Sequence, residues 1–104
     1  MDLIDRYIAY VRDERRYSRR TVTIYGSVLL DFARHYDCDC FTEEDAGKYL
    51  QVQMIRNYEV TLLDKRNMNP STVNQHLSVL SGFCRYLVKK EILSSNPLAL
   101  VAKP

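Results

Sequence analysis

The 104-residue sequence has no tryptophan, three glycines and three prolines. So few turn formers argue against an all-β fold, which needs many tight turns. Cysteine is scarce and odd in number, and two of the three (Cys38 and Cys40) stand one residue apart. That is not a secreted disulfide framework. No apolar run approaches membrane-spanning length. Asp2 and Asp5 speak against a signal peptide. A soluble, cytoplasmic protein with no membrane partner is expected. A large excess of one charge is also lacking: Lys plus Arg is 15 against 13 for Asp plus Glu. Net charge alone therefore points to no partner. What is present, 46% hydrophobic residues in a chain of this length, fits one domain with one modest core.

The charges are distributed unevenly. Between Asp37 and Asp45 five acids (Asp37, Asp39, Glu43, Glu44, Asp45) occur with no base. From Lys65 onward six bases (Lys65, Arg66, Arg85, Lys89, Lys90, Lys103) stand against one acid, Glu91. An acidic pole and a basic end can orient a domain on a polyanion.

The most informative stretch is 69–93, read as one long helix. Asn69 suits the cap and Pro70 the first helical position, where its missing donor costs nothing. Val73, Leu77, Leu80, Cys84, Leu87 and Val88 recur at steps of three and four, and Val79, Phe83 and Tyr86 widen that stripe. The other side carries Ser71, Asn74, Gln75, Ser78, Ser81, Gly82, Arg85 and Lys89. An ordinary solvent face is rich in Lys and Glu, which favour helix; Ser and Gly do not. Amides and hydroxyls followed by cations suit a DNA major groove, with amides at base edges and cations at phosphates. A Ser-rich solvated helix is the alternative.

Earlier in the chain, Ile4, Tyr7, Ile8 and Val11 predict a helix over 2–16, with Arg12, Arg15 and Arg16 toward its C-terminal end, where cations complement the dipole. Arg15 and Arg16 are also candidates for phosphate contact. Ser18 caps a second helix over 18–36, buried through Val22, Tyr25, Leu29, Phe32, Ala33 and Tyr36. Arg19, Arg20, Thr23, Ser27 and Arg34 lie on or near its other face, repeating the small, hydroxyl-bearing design. Arg19 and Arg20 oppose the helix dipole, so phosphate is the natural partner for them. Thr42 and the acids after it start a short helix near 42–50. A further helix over 51–66, separate from the short one or continuous with it, buries Leu50, Val52, Ile55, Tyr58, Leu62 and Leu63. Ser94-Ser95-Asn96-Pro97 should stop the long helix, and 97–104 reads as a strap or outgoing linker.

No self-sufficient active site emerges. His35, Cys38, Cys40, His76 and Cys84 lack the paired spacings of a zinc site. No G-x-S-x-G, P-loop or H-E-x-x-H occurs. Neither a cofactor nor a small-molecule substrate is implied. Tyr7, Tyr25, Tyr36 and Tyr86 fall at core spacings, whereas Tyr17, beside Ser18 and the arginines, could touch a nucleic-acid backbone.

Three segments carry a family resemblance. The run IDRYIAYVRDERRYSRRT from Ile4 is a helix, a charged end and a Ser-x-x-Thr restart. NPSTVNQHLSVLSGFCRYLVKKEIL from Asn69 is similar to S-P-x-T-V-N-x-x-L-S-x-L-R-x-F-x-x-Y-L. The exit is SSNPLALVAKP. Together these resemble the N-terminal core-binding, SAM-like domain of tyrosine recombinases, the phage-integrase and Xer-like family. The segment 37–52 is longer and more acidic than that pattern. Gly82 stands about where many relatives carry a basic residue (Leu-Ser-Gly rather than Leu-Arg-Ser), a departure from the family pattern that bears on one expected phosphate contact.

The resemblance implies an all-α bundle of four main helices, to which the short helix read near 42–50 from Thr42 and its acids would be an addition. Residues 1–96 would be the core-binding domain and 97–104 the start of a linker to a catalytic domain. The second and fourth main helices would lie against double-stranded DNA at a recombination half-site, with other recombinase protomers as partners in the full-length enzyme. Mapped here, the DNA-binding candidates are Arg19, Arg20, Thr23 and Ser27, and Ser71, Thr72, Asn74, Gln75, Ser78, Arg85 and Lys89. Asn74 and Gln75 are the candidates for base edges. Arg19, Arg20, Arg85 and Lys89 are those for phosphate. The family's catalytic arginines, H-x-x-R motif and nucleophilic tyrosine are not recognisable, since His35 is followed by Tyr-Asp-Cys and His76 by Leu-Ser-Val. A fragment that binds and does not cut is the reading, and a helical protein-interaction module the alternative.

Overall fold

Apolar stripes at helical spacing along most of the chain are satisfied by packing helix on helix. A computed structural model describes residues 2–104. Its five α-helices are α1 (Leu3–Asp13), α2 (Arg19–His35), α3 (Glu43–Tyr49), α4 (Val52–Val60) and α5 (Pro70–Lys89). A π-helical turn, Thr61–Lys65, extends α4, and a 3-10 turn, Pro97–Leu100, follows α5. No strand occurs among the described residues. Among the described residues no helix is long and apolar enough to cross a membrane.

The helix starts follow side-chain chemistry. Ser18 accepts from the Thr21 amide at 3.2 Å, and Asn69 from the Thr72 amide at 2.8 Å. Thr42 and Asp45 form a reciprocal capping box, which accounts for part of the acidic run. Asp2 caps α1 through Oδ1, and its Oδ2 accepts from the Phe41 amide at 2.7 Å. That one carboxylate joins the start of α1 to the loop before α3. α3 and α4 are separate helices. Gln51 stands at the start of α4 without capping it, and its amide donates back to the Gly47 carbonyl at 2.7 Å.

The helix ends are less orthodox. Arg16, Asp37, Asn67 and Glu91 all have positive φ, and none is glycine. The long helix stops at Lys89 rather than near Leu93. Glu91 takes φ 62°, and the Ile92 amide reaches back to the Leu87 carbonyl at 2.8 Å while the Glu91 amide bonds Val88. This Schellman closure ends the helix before Ser94-Ser95-Asn96-Pro97 is reached. The first helix likewise ends at Asp13, with Arg16 left-handed and the Tyr17 amide on the Val11 carbonyl.

α5 runs through the core. Val73, Leu77, Leu80, Phe83, Cys84 and Leu87 are buried against α1, α2 and the end of α4. Truncating Leu80 or Leu87 to Ala would cost about 2–5 kcal/mol. Phe32 meets Tyr58 edge-on at 5.1 Å, and Tyr7 packs on Phe83 at 5.3 Å. Leu3 and Val28 join the core stripes of α1 and α2 beyond the spacing read from sequence. Cys84 is a core residue, and burial pushes its thiol up to about 12. Pro97 and Val101 are buried as well, so the segment after α5 lies as a strap on the domain.

Candidate nucleic-acid interface

The apolar face of α5 is held by the core, so its other face is free to be poor in helix formers. Ser71, Gln75, Ser78, Arg85 and Lys89 are all exposed. Their steps of four and three, with Gly82 completing the series, place them on one line along the helix. At 1.5 Å per residue that line is about 27 Å long, against a longest molecular dimension of 35 Å. It forms a ridge with neutral hydrogen-bonding groups at the N-terminal end and two cations at the other.

On one flank the ridge borders α2. Thr23 and Ser27 of α2 and Gln75 of α5 line a shared groove of about 480 Å³, together with Asp31, Arg34, Arg66 and His76. The groove has one carboxylate, Asp31. Arg66 donates to its Oδ2 at 2.8 Å, and the Tyr58 hydroxyl donates to the same oxygen. Burial pushes the Asp31 carboxyl up, but these two hydrogen bonds outweigh it and hold the group below the usual carboxylate range. Its negative charge is thus balanced within the protein, and Arg34 faces the groove exposed. Sequence reasoning does not assign Asp31 or Arg66 to the site. No local pattern announces them, because their pairing spans 35 residues.

On the other flank lies the strap. The Asn74 amide donates to the Pro104 carbonyl at 3.2 Å, and its Oδ1 is buried without a hydrogen-bond partner. Asn96 and Arg85 both donate to the Ser81 hydroxyl, at 3.0 and 3.2 Å. Asn74 therefore sits beneath the strap edge, whereas Gln75 faces the open groove.

The other candidates fall around this frame. Arg19 and Arg20 are exposed in the first turn of α2, which contains no acid. Thr23 is exposed, but its hydroxyl donates to the Arg19 carbonyl at 3.0 Å. Thr72 is half-buried, with its amide on Asn69 and its carbonyl 3.0 Å from His76 Nδ1. Nine of the eleven sequence candidates are exposed, Thr72 and Asn74 being the exceptions. The structure brings Thr23, Ser27 and Gln75 together. Arg85 and Lys89 lie further along the same ridge, beside α1. A surface of this kind can offer hydrogen bonds to base edges and cations to phosphates.

Residues 4–91 match the family described as phage integrase, N-terminal SAM-like domain. Tyrosine recombinase XerC of Listeria welshimeri is 28% identical over 100 residues, which is 96% of this chain and 32% of that protein. Tyrosine recombinase XerC of Psychromonas ingrahamii is 33% identical over 105 residues, covering 98% of this chain and 33% of the relative. The chain thus spans about a third of the length of the curated relatives it matches. No solved structure matches it significantly.

Proposed function

The chain belongs to the phage integrase N-terminal SAM-like domain family, and from that premise we propose that it is the core-binding domain of a site-specific tyrosine recombinase, gripping a DNA half-site through α2 and α5. The observation that carries this reading is the exposed single-file ridge on α5 bordering a groove with Thr23 and Ser27 of α2. A B-DNA major groove is about 12 Å wide and admits a helix. Side chains as short as Ser71 and Ser78 let the α5 backbone approach the bases.

In this reading Gln75 pairs with a base edge, as an amide can with adenine. Arg85 and Lys89 meet phosphates on one side of the groove, and Arg19 and Arg20 meet them on the other. Ser27, Ser71 and Ser78 supply shorter hydrogen bonds. Asn74 reaches DNA only if the strap edge moves, because its amide faces the Pro104 carbonyl. Thr23 and Thr72 contribute mainly by shaping the first turns of their helices. The strap beginning at Pro97 leads toward a catalytic domain on the opposite side of the duplex. That second domain would supply the cleavage chemistry, and this one the grip. Other protomers would join on the same DNA.

A single half of such a clamp should bind random duplex in the non-specific range, about 10⁻⁴ to 10⁻⁶ M. Chemical-shift mapping with random duplex DNA at low salt tests the reading. Shifts concentrated on α2 and the exposed line of α5 support it. No shifts at all would favour a protein-interaction module, for which Leu100, 71% exposed on the strap, is the apolar contact on offer.

A further inference from the structure

Between the C-terminal end of α1 and the basic end of α5 lies a second pocket, of about 210 Å³. Tyr7, Tyr10 and Tyr17 contribute aromatic walls, and Arg15, Arg85 and Lys89 contribute the charge. No acid lines it. The two ion pairs among the described residues, Arg12–Asp13 and Arg66–Asp31, involve none of its cations. Two of the cations are held by aromatic faces instead, Lys89 5.7 Å from the centre of the Tyr10 ring and Arg15 5.6 Å from that of Tyr17, while Arg85 donates to the neutral Ser81 hydroxyl. Such contacts position a cation without neutralising it. The Tyr10 hydroxyl is held below its ordinary pKa, first by the Arg15 guanidinium beside it and also by Lys89. Gly82 also lines the pocket, and a Cβ there would stand 2.7 Å from the Tyr7 hydroxyl.

Three positive charges around a small, acid-free recess are a poor arrangement for the isolated protein and a good one for an anion. The recess is too small for a drug-sized ligand but accommodates one phosphate group. We propose that this pocket seats a backbone phosphate of the bound duplex between Arg15, in the turn that follows α1, and Lys89 of α5, with the Tyr10 hydroxyl as a further contact. The inference rests on the DNA-binding reading and extends it. It makes the end of α1 and the turn after it, outside the α2–α5 pair, a third point of attachment. A phosphate gripped both from α5 and from the turn after α1 also fixes how far α5 can roll in the groove.

The test is affinity for random duplex DNA at low salt. Arg15→Gln and Lys89→Gln should each weaken binding by about tenfold. The double variant should lose much less than the product, because either change alone releases the shared phosphate. Arg15→Lys should recover part of the loss. Arg12→Gln, three residues before Arg15 in the last turn of α1 but paired with Asp13 outside the pocket, should bind as the parent does. Inorganic phosphate and chloride buffers of equal ionic strength should give the same affinity; selective displacement by phosphate would make this a free-anion site and overturn the assignment to the DNA backbone. If Arg15→Gln binds normally while Arg85→Ala is weakened, the pocket inference fails and the broader reading stands. If the parent protein does not bind duplex at all, the broader reading itself fails.

Discussion

Arg66 and Asp31 meet at 2.8 Å across 35 residues of sequence, and the oxygen they share also receives the buried Tyr58 hydroxyl. This junction ties the end of α4 to α2 beneath the groove that holds Thr23, Ser27 and Gln75. Asp31→Ala leaves the Tyr58 hydroxyl without its acceptor and should destabilise the domain by about 1–3 kcal/mol. Arg66→Ala should cost less, within about 1 kcal/mol, because that side chain is 42% exposed. Urea unfolding of both variants checks the order.

The same junction sets a pH dependence. The Asp31 carboxyl is held below its ordinary value, near 3.9 for a free side chain. A depressed carboxylate stabilises the fold above its unfolded pKa, and that contribution is lost as pH falls through the folded value. Stability should therefore drop below about pH 4, and Asp31→Asn should flatten this part of the profile. Unfolding midpoints measured across the acid range, parent against variant, decide it.

Gly82 has a packing reason. In most helix interiors Gly→Ala gains about 1 kcal/mol. At this position the added Cβ would stand 2.7 Å from the hydroxyl of the buried Tyr7. Gly82→Ala should fail to give that gain, and should recover it in a Tyr7→Phe background, where the crowded oxygen is gone. Gly47→Ala is the control, since a Cβ there meets nothing within 4 Å. Thermal denaturation of the four variants reads out the coupling.

Glu91 is a strained stop. It holds φ 62° at the end of α5, a conformation that costs a non-glycine residue roughly 1–2 kcal/mol. Glu91→Gly should raise stability by about 1 kcal/mol without altering DNA affinity, because Glu91 is not on the ridge line. A chemical-denaturation midpoint shift in the opposite direction would contradict the assigned geometry.

The helices and their caps are readable in the sequence because they are local. Asn69-Pro70, Ser18 and Thr42 declare helix starts within three residues, and apolar spacing along α5 names the buried side. The helix ends are harder to read for an equally physical reason. Arg16 and Glu91 close their helices in a conformation usually left to glycine, and nothing in their chemistry signals it. The exposed line on α5 is legible from its unusual composition. That Gln75 shares a groove with Ser27 while Asn74 meets the strap is not, since those neighbours come from distant parts of the chain. The roles of Asp31 and Arg66 are hidden for the same reason. The position of Arg15 beside Lys89 depends on how the turn after α1 meets α5 and has no signature in either segment alone.

The most direct measurement is the salt dependence of duplex binding for the parent, Arg20→Ala and Arg85→Ala, which remove one exposed cation from α2 and one from α5. Removing a cation that neutralises one phosphate should lower the slope of log K against log salt by about 0.9. Both variants should therefore bind more weakly to any sequence and show slopes shallower than the parent by about that amount. Slopes unchanged in both variants, with the parent bound, would mean that neither helix meets the DNA backbone.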